Sequence, residues 1–206
     1  MASMRPLRPR VVVFLRAPCR GRVKTRLAKG IGAGAALAFY RELSLVTVRR
    51  LAADPLFETV LALVPERGAR PDPWPGHLRR LRQSGRDLGA RMAHALSALG
   101  PGPVLVVGSD IPGLGAVHVR KALRLLGSAD VVIGPAEDGG YWAIGFRRRP
   151  LPQGCFAGVR WSTPDARSDT VESLAGLRVA EADLLADVDD AKAYERFRRR
   201  GASRVP

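Results

Sequence analysis

The sequence predicts an α/β fold built on a mostly parallel sheet flanked by helices, and three observations predict it. Short apolar runs, such as Val11-Val12-Val13-Phe14-Leu15 and Val104-Leu105-Val106-Val107, suit strands covered on both faces. Between them lie stretches whose apolar residues recur at spacings of three and four, the helical period. Both strands also run directly into charged turns broken by glycine and proline. The 206 residues fit one large domain better than two.

Taken in order, residues 1–10 are rich in proline and arginine and are expected to be poorly ordered. Residues 11–200 form the domain and 201–206 a tail. The first strand, residues 11–15, leads into Arg16-Ala17-Pro18-Cys19-Arg20-Gly21-Arg22-Val23-Lys24-Thr25-Arg26-Leu27. Gly21 there permits a tight backbone approach, while Arg20, Arg22, Lys24 and Arg26 offer cations to a diphosphate or triphosphate. A solvated basic loop is the plainer alternative. The stretch has neither the Gly-Lys-Ser/Thr ending of a Walker loop nor a GxGxxG turn. Ala36, Phe39, Leu43 and Val46 mark a helix over residues 34–53, and residues 57–64 read as the second strand. Residues 65–76 form a surface loop with Trp74 folded onto it. Residues 77–83 suit a short strand. Asp87 then N-caps a helix that places Leu88, Met92, Ala95, Leu96 and Leu99 on one face.

The central strand, residues 104–107, delivers Asp110 to the carboxyl edge of the sheet, where open α/β sheets bind ligands. Asp110 either holds a hard cation such as Mg²⁺ or Mn²⁺ or merely fixes the turn. Ala116, Val119, Leu123 and Leu126 give the next helix, and residues 130–134 another buried strand. Gly134-Pro135-Ala136-Glu137-Asp138-Gly139-Gly140-Tyr141-Trp142 comes next, a second acidic turn that either holds hydroxyl groups or a metal or is a plain hairpin. Beyond the Trp161-Ser162-Thr163-Pro164 turn, the pattern predicts a helix over residues 165–174 and a strand at 177–180. A carboxylate-rich run, residues 185–190, precedes a last helix carrying Tyr194 and Phe197.

Composition narrows the function. A net charge of +15 invites a nucleic-acid reading, yet all but four of the 34 basic residues are arginines spread over nearly every segment. Aromatics at 6% leave no stacking platform for single strands, so nucleic acid is not the expected partner. Cys19 and Cys155 have no metal or redox spacing, His118 has no second ligand near it in sequence, and none of the three histidines is assigned to catalysis. No apolar run approaches the ~18 residues of a membrane span, and residues 11–15 are too short for a signal-peptide core. A cytoplasmic protein is expected. Oligomeric state is not encoded in any of these patterns.

Six motifs in register, APxxGxVKTRL, DLGxRM, GSDxPGL, PAEDGGYWAIG, WSTP and DVDD, together resemble the DUF2064 family, the transferase 1 of the radical-SAM/selenodomain-associated group. The resemblance covers residues 11–197. It implies a Rossmann-like fold of the GT-A, nucleotide-diphospho-sugar transferase superfamily, with distant kinship to molybdenum-cofactor and phospholactate nucleotidyltransferases. It also implies a glycosyltransferase-like enzyme using a nucleotide-diphosphate-sugar donor, or alternatively a nucleotidyltransferase that releases pyrophosphate. Arg16, Gly21, Arg22, Lys24, Arg26, Asp87 and Ser109 would meet the nucleotide and its phosphates. Asp110, Asp187 and Asp189 would hold a divalent metal, Mg²⁺ or Mn²⁺. Asp110, Glu137 and Asp138 would carry the chemistry, and Gly139, Gly140, Tyr141 and Trp161 would meet the sugar or an unknown small-molecule acceptor. The DxD motif of the superfamily is incomplete because residue 108 is glycine.

Overall fold

The computed structural model describes residues 7–64, 72–147 and 151–201. A seven-stranded sheet of order β3-β2-β1-β4-β6-β5-β7 is built from β1 (Arg10–Arg16), β2 (Glu58–Val64), β3 (Arg79–Arg82), β4 (Val104–Val107), β5 (Val131–Pro135), β6 (Tyr141–Phe146) and β7 (Val179–Glu181). All neighbours pair in parallel except β6, which runs antiparallel to β4 and β5. This is the predicted mostly parallel α/β architecture, and the acidic turn joins the antiparallel pair β5 and β6. Helices α1 (Thr25–Ile31), α2 (Ala33–Ala52), α3 (Leu88–Ser97), α4 (Ala116–Leu125), α5 (Ala166–Glu172) and α6 (Ala191–Gly201) complete the domain. Among the described residues no helix is long and apolar enough to cross a membrane.

Alternation along the strands feeds two cores, because successive side chains point to opposite faces. Val11, Val13 and Leu15 join Val48, Leu51, Val119 and Trp142 on one face; Val12 joins Met92, Leu96, Ile144 and Phe156 on the other. Met92 is therefore a core residue, as its helical spacing predicts. Trp74 differs from expectation. It is 4% exposed, and its indole N–H donates to Ser44 Oγ of α2 at 3.2 Å. A buried indole needs such a partner, and α2 supplies it. The basic loop is also shorter than expected, because α1 begins at Thr25 and carries Arg26 on its first turn.

The expectation for residues 1–10 falls partly outside the described residues. Within them, Arg8 donates to the carbonyl of Phe57 at 2.9 Å and Arg10 already belongs to β1. Residues 65–71 of the expected surface loop and most of the tail also lie outside them.

Strand order places the site. The chain lays β2 and β3 on one side of β1, then crosses over to lay β4 on the other. The crevice beyond the carboxyl ends of β1 and β4 is thus a topological switch point, where open sheets bind ligands. The hairpin next to it is fixed by packing: Trp142 is 2% exposed, lies against Gly134, and donates its indole N–H to the Asp183 carbonyl at 2.8 Å. A Cβ on Gly134 would overlap that ring. Gly134→Ala is expected to destabilise the protein by about 1–3 kcal/mol through overpacking. Gly34→Ala, whose Cβ meets nothing within 4 Å, should leave the urea midpoint unchanged or raise it.

Candidate active site

Five segments converge at the switch point. The loop after β1 ends at Lys24, whose left-handed backbone (φ 48°) N-caps α1 and turns its side chain inward. Its Nζ donates to Asp110 Oδ2 at 2.9 Å and lies 3.5 Å from Asp189 Oδ1, with only 4% of the side chain exposed. Arg26, 72% exposed, reaches the other oxygen of Asp189 at 3.4 Å. Asp110 is delivered by β4 and Asp189 by the segment after β7. That segment is fastened by three backbone bonds, Ala182 N–H to Ile133 O, Leu185 N–H to Pro135 O and Val188 N–H to Asp110 O. The carboxylate-rich run is therefore not a regular strand but an extended strap laid over the ends of β5 and β4.

Two adjoining cavities, of about 420 and 520 Å³, open on either side of this cluster. Both volumes lie in the range of small-molecule sites. Asp110, Asp189, Gly108, Arg26, Leu88 and Ser162 line both. The first also takes in Asp138, Gly140, Tyr141, Trp161 and Asp187. The second is cationic, lined by Arg16, Arg22, Lys24 and Arg91 with Ser109 and Gln83.

Most of the residues singled out from sequence meet here. Of the rest, Gly21 (φ 75°) turns the basic loop and lines neither cavity. Asp87 N-caps α3, its Oδ1 accepting from Ala90 N–H at 2.7 Å. Gly139 (φ 85°) packs the hairpin against the WSTP turn, where a Cβ would overlap the Pro164 carbonyl. Glu137 faces away from Asp138 into a third cavity. The DLG and WSTP motifs are one contact: Trp161 lies over Gly89 and against Phe156, and a Cβ at residue 89 would come within 2.7 Å of its ring.

Sequence reasoning passed over Tyr40 and Gln83. Tyr40 Oη donates to the Arg16 carbonyl and accepts from the Arg16 N–H, both at 2.9 Å, clamping the end of β1. Burial raises its pKa to about 12. Gln83 Nε2 donates to the carbonyls of Leu15 and Ala62 at 3.1 and 2.8 Å, closing the ends of β1 and β2. A helical tyrosine at residue 40 and a glutamine after a short strand carry no local signal for either contact.

Four carboxylates, Asp110, Asp138, Asp187 and Asp189, share the first cavity. Among the described residues no three acidic, histidine or cysteine side chains already stand as a metal cage; Lys24 lies between Asp110 and Asp189 instead. Burial, reinforced by Asp138, Asp110 and Asp189 against the opposing effect of Lys24, raises Asp187 to about 6.

The fold is that of the nucleotide-diphospho-sugar transferase class, as comparison with solved structures shows. The chain belongs to the DUF2064 family, described as "Uncharacterized protein conserved in bacteria", whose pattern matches residues 47–163. It is 35% identical to a protein from Desulfovibrio desulfuricans G20 assigned provisionally as a nucleotide-diphospho-sugar transferase, with a TM-score of 0.81 over 89% of this chain and 83% of that one. More distant structures share the fold. CMP:2-keto-3-deoxy-manno-octonic acid synthetase complexed with CTP is 13% identical, with a TM-score of 0.57 over 96% of this chain and all of that one. Rv0371c of Mycobacterium tuberculosis H37Rv, in complex with manganese, is 16% identical, with a TM-score of 0.51 over 92% and 97%. No curated protein matches the chain.

The raised pKa of Asp187 has a stability consequence. The folded state binds this proton more tightly than the unfolded chain, so its contribution is complete below about pH 4 and is lost as pH rises through about 6. Because the residue is only partly buried, screening reduces the effect to the order of 1 kcal/mol. Asp187→Asn is expected to be more stable than the parent at pH 7.5 and indistinguishable from it near pH 4 in chemical unfolding.

Proposed function

We propose that the protein is a divalent-metal-dependent transferase that moves a glycosyl group from a nucleotide-diphosphate sugar to a small hydroxyl-bearing acceptor. The observation that carries the reading is the division of the crevice: a cationic cavity and an acidic, aromatic-walled cavity meet at Asp110 and Asp189. In this reading Arg16, Arg22 and Arg91 hold the nucleotide and its diphosphate, with Ser109 beside them. The sugar lies in the first cavity against Trp161, with Tyr141 and the Gly140 backbone around it.

A hard cation fits the donor set, since every candidate ligand is a carboxylate and four carboxylates share the wall of the first cavity. Asp110, Asp187 and Asp189 would hold it, and it would supply charge to the departing diphosphate. The manganese found in Rv0371c accords with this. Lys24 and Arg26 add positive charge at the same place, aimed at the leaving group rather than the sugar. Asp138 is the base: its Oδ1 is held by the Gly140 N–H at 2.9 Å, leaving Oδ2 to the cavity. The acceptor oxygen bonds to the anomeric carbon as the bond from that carbon to the diphosphate oxygen breaks. The hydroxyl proton passes to Asp138, and the nucleoside diphosphate leaves.

One observation favours nucleotidyl transfer as a second reading. Five basic side chains, Arg16, Arg22, Lys24, Arg26 and Arg91, border the cationic cavity, enough for a triphosphate. Product analysis separates the two. With Mn²⁺ and a panel of nucleotide sugars and nucleoside triphosphates, nucleoside diphosphate is the expected product. Asp110→Asn should cut turnover about 10²–10³-fold, and Asp138→Asn about 10²–10⁴-fold. Pyrophosphate as the product would establish the second reading, and full activity of Asp110→Asn would remove the metal site from both.

A further inference from the structure

We infer that the third cavity, of about 320 Å³, is the anchoring subsite for the acceptor, and that it takes a small molecule bearing an anionic group, a hydroxyl or amine for Glu137 and a further hydroxyl that reacts. The inference rests on the transferase reading of the crevice. Glu137 and Asp138 are adjacent on the hairpin turn, yet they line different cavities. Glu137 faces Arg196 of α6 across the third one, above a floor of Pro112, Leu185, Val188 and Phe197. Asp187 belongs to the walls of both the first and third cavities, so a molecule seated in the third lies one side chain from the sugar site.

Hydrogen-bonding capacity gives the ligand its chemistry. Neither the Glu137 carboxylate nor the Arg196 guanidinium makes a hydrogen bond or ion pair among the described residues, and both are exposed at the cavity mouth. A guanidinium is a fork for a carboxylate or phosphate. A carboxylate facing it only accepts, and calls for a hydroxyl or amine on the same ligand. The apolar floor suits the short carbon body between them. An acceptor of this kind would be held by its anionic end at Arg196 while its reacting hydroxyl extends past Asp187 towards Asp138.

The test monitors backbone amides of the ¹⁵N-labelled full chain by NMR. Gly113, Ala186 and Ala193 report on the third cavity, and Gly108 and Gly140 on the first. The probes are glycerate, 3-phosphoglycerate, serine and inorganic phosphate. At least one hydroxyl-bearing anion is expected to shift the third-cavity amides saturably. Its binding should weaken at least tenfold in Arg196→Ala, less in Arg196→Lys, which keeps the charge but loses the fork, and weaken in Glu137→Gln. Glycerate against 3-phosphoglycerate tells a carboxylate from a phosphate anchor. The inference is overturned if no probe shifts these amides at millimolar concentration, if inorganic phosphate binds as well as the larger anions, or if Arg196→Ala has no effect. Titration of nucleotide sugars with diamagnetic Mg²⁺, read at Gly108, tests the donor reading separately, so either can fail alone.

Discussion

Everything at the switch point depends on one half-buried charge cluster, the ammonium of Lys24 held between Asp110 and Asp189. Removing charged groups from water is tolerated only when opposite charges stay within hydrogen-bonding reach. Here the three partners come from chain segments as far as 165 residues apart. The cluster therefore ties the loop after β1, the turn after β4 and the strap after β7 into one unit. On the side of the first cavity it leaves an excess of carboxylate, since Asp110, Asp138, Asp187 and Asp189 share that wall with Arg26. The proposed cation would answer that excess and bridge to the phosphates.

The scaffold around this cluster is built from close approaches rather than from unusual elements. Gly134 admits the Trp142 ring, Gly89 admits Trp161, and Gly139 admits the Pro164 turn. At each of these glycines a single added carbon would overlap a residue that lines the first cavity, Trp142, Trp161 or Pro164. The PAEDGGYWAIG, DLG and WSTP motifs, far apart in sequence, are in this sense parts of one packed wall. Tyr40 and Gln83 do the corresponding work for the second cavity, holding the carboxyl ends of β1 and β2 by their carbonyl groups.

Much of this was legible in the sequence, and the limits have physical causes. Continuous apolar runs identify β1, β4 and β5 because both faces of those strands are covered, and helical spacing identifies α2, α3 and α4. Asp110 is legible because a buried strand ending in glycine and proline must present what lies between them. α1 is not, since its residues 25–31 carry one buried side chain, Leu27, and hence almost no periodic signal. Trp74 looks like a loop residue because its partner, Ser44, lies thirty positions earlier. Nor can sequence say that Glu137 and Asp138 diverge, because neighbouring residues on a turn have no fixed relation to any face. The opposite case is Lys24: its charge is plain in the sequence, but its pairing with carboxylates depends on a left-handed backbone that few lysines adopt.

The central claim is that the carboxylates at the switch point are a cation site completed by a nucleotide diphosphate. Its most direct test is electron paramagnetic resonance of Mn²⁺ added to the protein with and without nucleoside diphosphates. The account predicts a single bound ion per chain whose affinity rises with the nucleotide, and whose signal is lost in the Asp110→Asn, Asp189→Asn double variant while the fold is retained. Mn²⁺ bound equally well by that variant, or indifferent to every nucleotide, would contradict it.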